Sequence, residues 1–401
     1  MEEWKEYKAN DFCLKVTDGT HDSPKPKANG EHYLITSKHL KSGRIDFTSA
    51  YKISEEDYQK VIERSKVEKF DILFSMIGTI GNIYRESSDD IEYAVKNMAI
   101  FKCGGDSVKS SWLYYWLQSP KAKEYINSRL TGSTQGYLTL ETLRNFPIDF
   151  PSFQTAKKIV SLLSSFDDKI EVNKKINSNL EEQAKALFKS WFIDFEPFKD
   201  GKFVDSELGK IPEGWKVTTI GDVTENIKEK VGNRNDIKVL SPITSGQLVL
   251  SEDYFSKQVF SNSIAKYIVV NHNDFAYNPA RINIGSIGMN EFEFDGCVSP
   301  VYVVFRCQTG YEYFFDLYRR TSYFTEEVKK RAIGGVRQTL SYKDLSLIQL
   351  IYPPKKVVDA FNFIFIGFIQ EIHSNDVSNK KLEAIRDTLL PKLMSGEIEV
   401  K

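Results

Sequence analysis

Only four cysteines occur in the 401 residues, Cys13, Cys103, Cys297 and Cys307, and they form no CxxC pair. That usage fits a reducing cytoplasm and argues against a zinc module. Histidine is nearly as scarce. His21, His32, His39, His272 and His373 show no HExxH or other ligand spacing, so no bound metal is expected and surface positions are. An excess of one charge is missing too: 54 Lys and Arg against 55 Asp and Glu give a formal net charge of −1. Nothing global therefore points to nucleic acid. The longest apolar stretch, residues 361–369, contains Asn362 and is too short to span a bilayer. The start, MEEWKEYKAN, has no signal-peptide pattern, so the expectation is a cytoplasmic chain with no membrane association.

Motifs of catalysis are also absent. There is no GxxxxGK[ST] phosphate loop, and no GxGxxG follows a strand, which leaves NTPase and Rossmann-type pockets unsupported. The runs from Asn278 to Arg281 and from Tyr352 to Lys355 each match only part of an amino-methyltransferase [DN]PP[YF] tetrad. No Ser–His or Cys–His pairing can be argued from one sequence. The absences favour a binding protein. Two alternatives stay open: a DNA-modifying enzyme with a divergent site, and a protein-only scaffold.

What is present begins with bulk. Hydrophobic residues make up 41%, aromatics 13% and charged residues 27%, a globular composition at a length that suggests two or three domains. Basic charge is local: residues 21–44 carry five Lys and Arg against two acids, and residues 319–337 six against two. Solvated surface is the ordinary reading of such patches, and they permit DNA contact.

The organising stretch is residues 153–191. Apolar or Asn residues fall at Ile159, Leu163, Phe166, Ile170, Asn173, Asn177, Leu180, Ala184, Leu187 and Trp191. The alternating steps of four and three make a heptad seam and predict one long helix seeking a partner. At about 1.5 Å per residue the rod would be roughly 57 Å long. The same seam recurs 202 positions on at Phe361, Phe365, Phe368, Ile372, Asn375, Asn379, Leu382, Arg386, Leu389 and Leu393. The simplest reading is one coiled coil made by the chain with itself, in which buried Asn fixes the register at some cost in stability. Two unrelated amphipathic helices are the alternative. The expected pairing centre is Ile170, Asn173, Asn177 and Leu180 with Ile372, Asn375, Asn379 and Leu382.

The repeat extends beyond the helices. Arg129/Arg331, Gly132/Gly334, Leu138/Leu340, Leu143/Leu345 and Pro151/Pro353 keep the offset of 202. Further upstream, the run from Asp274 to Tyr277 answers that from Asp71 to Phe74, Gly285-Ser-Ile287 answers Gly81-Asn-Ile83, and Phe305-Arg-Cys307 answers Phe101-Lys-Cys103. The chain reads as two tandem copies of a globular domain followed by a long helix. In the first copy, strands are predicted near residues 33–36, 71–75 and 97–101. Helices are predicted over 54–69 (N-cap Ser54), 110–117 and 121–128.

Four loops carry candidate contacts. Residues 131–137, with Ser133, Thr134, Gln135 and Tyr137, and residues 333–339, with Arg337, Gln338 and Thr339, occupy equivalent places between a basic helix and a strand. Glycine lets backbone approach a phosphate, and Arg and Gln carry the groups that read guanine and adenine edges. Residues 17–24, with Thr20 and His21, run into Lys25 and Lys27. Residues 278–286 hold Asn278, Arg281, Asn283 and Ser286. Ordinary tight turns facing water are the alternative for each.

These residues resemble the specificity subunits of Type I restriction-modification systems. The resemblance covers the whole chain: TDGTH-x-SP at 17–24, YNPARINIGSIG at 277–288, CVSPVYVVF at 297–305, GGVRQTLSYKDL at 334–345 and LLPKLMSGEIEV at 389–400. The stretch SLLSSFDDKIEVNKKINSNLEEQAKALFKSWF at 161–192 belongs with them. Residues 75–86 lack the NPAR cluster, so the role of Arg281 is not carried to the first half.

The resemblance implies an α+β chain with two similar mixed α/β target recognition domains, at 1–150 and 198–353. Two long antiparallel helices, within 151–197 and 354–401, separate them in a pseudo-two-fold repeat. It implies a non-catalytic reader of a bipartite site in double-stranded DNA that joins two methylation subunits and then restriction subunits. No cofactor is implied in this chain; S-adenosylmethionine, and ATP with magnesium, belong to those partners.

Overall fold

The computed structural model describes residues 4–41, 43–132, 136–234, 236–332 and 339–400. The chain forms two compact units. One is Met1–Lys174 with Asp376–Lys401, the other Lys175–Asn375.

The first unit is built on a four-stranded antiparallel sheet in the order Lys15–Asp18, Met98–Lys102, Ile72–Ser75, Ile83–Arg85. Its strands are apolar on both faces, because each face is covered. Ile72, Phe74, Ala99 and Phe101 pack on Trp112, Leu113 and Trp116 of the helix Ser107–Trp116, and the same cluster takes in Ile159, Leu163 and Leu393 of the long helices. Leu73, Met98 and Ile100 face Ile35, Leu40 and Val95 instead. A second sheet supplies that cover, with His32–Ile35 parallel to Tyr93–Val95 and antiparallel to Lys52–Ile53. Each fully buried side chain of this size contributes roughly 1.5–3 kcal/mol.

The helix capped by Ser54, whose hydroxyl accepts from Asp57 N, runs over Glu55–Ser65 and stops short of the expected residue 69. Buried Asp71 is the reason. It accepts from Glu68 N at 2.8 Å and from Lys102 Nζ at 2.9 Å, and Phe70 before it adopts φ +69°. The segment must therefore turn before the strand begins.

The second unit repeats the plan. Thr224–Ile227, Val303–Cys307, Phe275–Tyr277 and Ile287–Met289 form the same four-stranded order, all antiparallel. A second sheet again holds one parallel pair, Lys238–Pro242 with Gly296–Val298. The turn before its central strand is repeated as well: Asn273 at φ +68° precedes buried Asp274, which accepts from Arg306 at 2.6 and 2.9 Å. The two units thus share a sheet order and a turn-and-ion-pair device.

The long helices span Phe153–Phe192 and Lys355–Met394. Within the first unit Asn173 Nδ2 donates to Asn379 Oδ1 at 2.8 Å, and Arg386 reaches Asp167 at 2.5 Å. Partner numbers fall as the others rise, so the helices are antiparallel there. Burial draws the Arg386 pKa down, but its bonds to Asp167 and Asp387 outweigh that and leave it raised. Within the second unit Asn375 Nδ2 donates to Asn177 Oδ1 at 2.9 Å, and Asn177 Nδ2 to Ile372 O at 3.4 Å. Leu180, Ile372 and Leu382 are half-buried, whereas Ile170 is buried.

One stretch of the seam departs from the expectation. Phe188 and Phe192 are buried, while Leu187 and Trp191 are only half-buried. A helix at 3.6 residues per turn drifts from a 3.5 repeat, and its last turns pack on the second unit's core around Trp215, Phe314 and Phe361.

His39 is a further correction, since surface histidines were expected. It is fully buried, and its Nδ1 accepts from Thr36 N at 2.9 Å. Burial first, and Lys38 second, lower its pKa from 6.5. The folded state keeps this imidazole neutral while the unfolded chain takes up a proton below about pH 6.5, so stability falls as pH drops below that value. Thermal unfolding followed from pH 8 to pH 5.5 should show a decline that His39→Gln flattens; an identical decline in the variant would assign the effect elsewhere.

Candidate nucleic-acid interface

In the first unit Asp18 lies opposite Ala99 and Ser75 opposite Met98. The loops that follow Asp18 and Ser75 therefore leave the same edge of the sheet. The 17–24 loop is built, not slack. Asp18 is 9% exposed and accepts from His21 Nε2 at 2.8 Å and from Arg64 at 3.1 Å. Gly19 N donates to Met98 O and Thr20 N to Val95 O, and a Cβ on Gly19 would lie 2.3 Å from Val95 O. Only glycine fits there. Pinned this way, the loop leaves Thr20 half-exposed and His21, Lys25 and Lys27 exposed.

The loop after Ser75 is held by a second set of bonds. Ser75 Oγ donates to Thr79 O, and Asn82 N donates to Ser75 Oγ at 2.9 Å. Asn82 Nδ2 donates to Leu40 O at 2.7 Å, bringing in the hairpin Leu40–Lys41/Arg44–Ile45. Tyr137 and Thr131 exchange backbone bonds, and Leu138 N donates to Met76 O at 3.0 Å. Tyr137, 40% exposed, thus stands beside the 76–81 loop. Ser133, Thr134 and Gln135 lie outside the described residues.

The second unit assembles equivalent parts. Asn278 N donates to Ser286 O, and the short helix Ile282–Ile284 ends on Gly285 at φ +94°. Leu340 N donates to Pro279 O at 3.1 Å, placing exposed Thr339 beside the NPAR segment. Arg281 is exposed and Asn283 half-exposed; Arg337 and Gln338 lie outside the described residues. Ser286 corrects the sequence reading: it is 1% exposed, and its hydroxyl donates to Pro242 O at 2.8 Å. It shapes the loop and presents nothing outward. Asn278, half-exposed, uses its Oδ1 within the loop, accepting from Ala280 N at 3.0 Å.

Ser286 and Asn82 do the same thing. Each follows the matching Gly81 or Gly285 and bonds a backbone carbonyl in the first strand of a hairpin. The match of Gly81-Asn-Ile83 with Gly285-Ser-Ile287 carries that signal in the sequence. Arg64 had none. Arg319, counted within a surface basic patch, is in fact 6% exposed.

Glu31, His32 and Glu55 are, among the described residues, the group whose ligand atoms lie within 4.8 Å of one another. Strand and helix start bring them together, which their spacing concealed. Two of the three already pair with each other: His32 Nε2 meets Glu55 at 2.5 Å, and the ring stacks on Tyr58 at 3.8 Å. Among the described residues no helix is long and apolar enough to cross a membrane.

Comparison with known proteins bears on the chain as a whole. Residues 1–182 match the Type I restriction modification DNA specificity domain. The Type I restriction enzyme MjaIX specificity subunit of Methanocaldococcus jannaschii is 30% identical over 312 residues, covering 74% of this chain and 71% of that protein. The HindI specificity subunit of Haemophilus influenzae is 22% identical over 469 aligned positions, covering 99% and 100%. The crystal structure of a Type I S subunit from M. genitalium superposes with a TM-score of 0.58 at 14% identity, over 98% of this chain and 96% of that one.

Proposed function

We propose, since the chain belongs to the family of Type I restriction-modification specificity subunits, that its two units each read one half of a bipartite, asymmetric site in double-stranded DNA. The observation that carries this is the repeated loop cluster. Each unit gathers a loop after a central strand, a hairpin and the flank of a Gly-rich segment around one edge of a like-ordered sheet. Equal scaffolds with unlike side chains suit two different half-sites. Phosphate contacts by residues such as Lys25 and Lys27 fix orientation, and Arg and Gln side chains read base edges.

In this reading the chain performs no chemistry. It docks two methylation subunits, which bring S-adenosylmethionine, and restriction subunits, which use ATP and magnesium, and it acts in the cytoplasm on duplex DNA. The two long helices are the elements assigned to setting the interval between half-sites.

Arg337 tests the reading. In the assembled methyltransferase, Arg337→Ala should cost about 1–3 kcal/mol at one base position of one half-site. Competition binding with site variants measures it, and equal losses on every sequence would make Arg337 a phosphate contact. Binding itself should weaken steeply with salt; no salt dependence would favour a protein-only scaffold.

A further inference from the structure

A buried arginine in the second unit holds a hairpin turn beside the loops already described. The Arg319 side chain is 4% exposed and pairs with Asp316, whose side chain is 5% exposed. Its Nη1 donates to Ile287 O at 3.0 Å and its Nη2 to Gly246 O at 2.8 Å. Burial lowers its pKa. Enclosing an ion pair is expensive, and a well-packed apolar pair would serve stability as well or better. What a guanidinium adds is direction. It ties a strand edge at Ile287 to the tip of the hairpin that joins Lys238–Pro242 and Leu248–Leu250.

That tip is residues 243–247. Ile243 N donates to Gln247 O, and Gly246, at φ +83°, donates to Ile243 O. The turn lies directly on the NPAR loop. A Cβ on Gly285 would sit 2.7 Å from Thr244 O, and one on Gly288 2.6 Å from the Gln247 backbone. Thr244, Ser245 and Gln247 are exposed, and Ser245 Oγ donates to Gln247 Oε1 at 3.0 Å.

In the first unit a neutral side chain lies against the corresponding hairpin. Gly43, at φ +73°, lies against the Tyr114 hydroxyl, 3.0 Å from where a Cβ would stand. Tyr114 and Asp316 are 202 positions apart, the offset of the repeat. Arg319 itself corresponds to Leu117 at that offset, so the guanidinium brace belongs to the second unit, and the hairpins differ as well: Ser42 and Arg44 flank Gly43, whereas Ser245 and Gln247 flank Gly246.

We infer that the 243–247 turn is an additional reading element of the second unit, with Gln247 contacting a base edge and Arg319 acting as the positioning residue that fixes the turn. A glutamine held by its neighbour is suited to the paired donor and acceptor of adenine in the major groove. The inference rests on the second unit being a DNA-recognition module.

The experiment selects bound sequences from a randomised duplex pool, using the complete methyltransferase with wild-type chain, Gln247→Ala or Arg319→Lys. Gln247→Ala, on an exposed turn, is expected to fold normally and to lower preference at one base position of one half-site about tenfold. Arg319→Lys should blur that same position while the other half-site stays unchanged. Unaltered preferences with Gln247→Ala, or a uniform loss on all sequences, would overturn the inference even if Arg319→Lys unfolds. A wild-type complex that selects no sequence would instead remove the DNA-recognition reading beneath it.

Discussion

Exchanging residues 1–150 for the corresponding part of another family member should replace one half of the recognised DNA site and leave the other half as it was. The expectation follows from where contacts are made. In the first unit the 17–24 loop, the 76–81 loop and the Gly43 hairpin are anchored by Arg64, Asn82 and the sheet edge, all inside the exchanged segment. The equivalent loops of the second unit are anchored by Pro242, Pro279 and Arg319. Each loop set is therefore fixed by its own unit. The change in preference should be complete at the exchanged half-site, and methylation-site mapping of the chimera measures it. Alteration of both halves would reject independent reading.

Phe361→Ala should destabilise the second unit by about 3–5 kcal/mol, the cost of emptying a large aromatic site in a packed core. Phe361 is fully buried, with ring centroids of Phe192, Phe365 and Trp191 at 5.0, 5.5 and 6.0 Å. Against a typical total of about 5–15 kcal/mol, that loss is large. Phe363, two residues on, is 85% exposed, and its alanine variant should stay within about 0.5 kcal/mol. Urea unfolding followed by tryptophan fluorescence distinguishes them. Similar midpoints for both variants would contradict the packing described.

Much of this architecture was legible because it is local and periodic. The seams placed both long helices, and Asn173, Asn177, Asn375 and Asn379 marked where they pair. The strands around Asp71, Asp274, Phe101 and Phe305 stood out through the repeat. Non-local features did not. The parallel pairing of His32–Ile35 with Tyr93–Val95 joins segments far apart in sequence, and no spacing announces it. The early helix stop at Ser65 depends on Asp71, whose burial is a tertiary fact. Seam positions slid to Phe188 and Phe192 because a globular core, not a partner helix alone, receives them. At the site, residue type identified the loops but not which side chains face outward. Ser286 points into the fold, and Arg319 is a brace inside it.

The central claim is that this chain selects the DNA sequence its partners modify. Adenine-methylation mapping of a host genome with and without the gene tests it most directly. One bipartite, asymmetric motif should lose methylation everywhere when the gene is removed. A methylation pattern indifferent to the gene would contradict it.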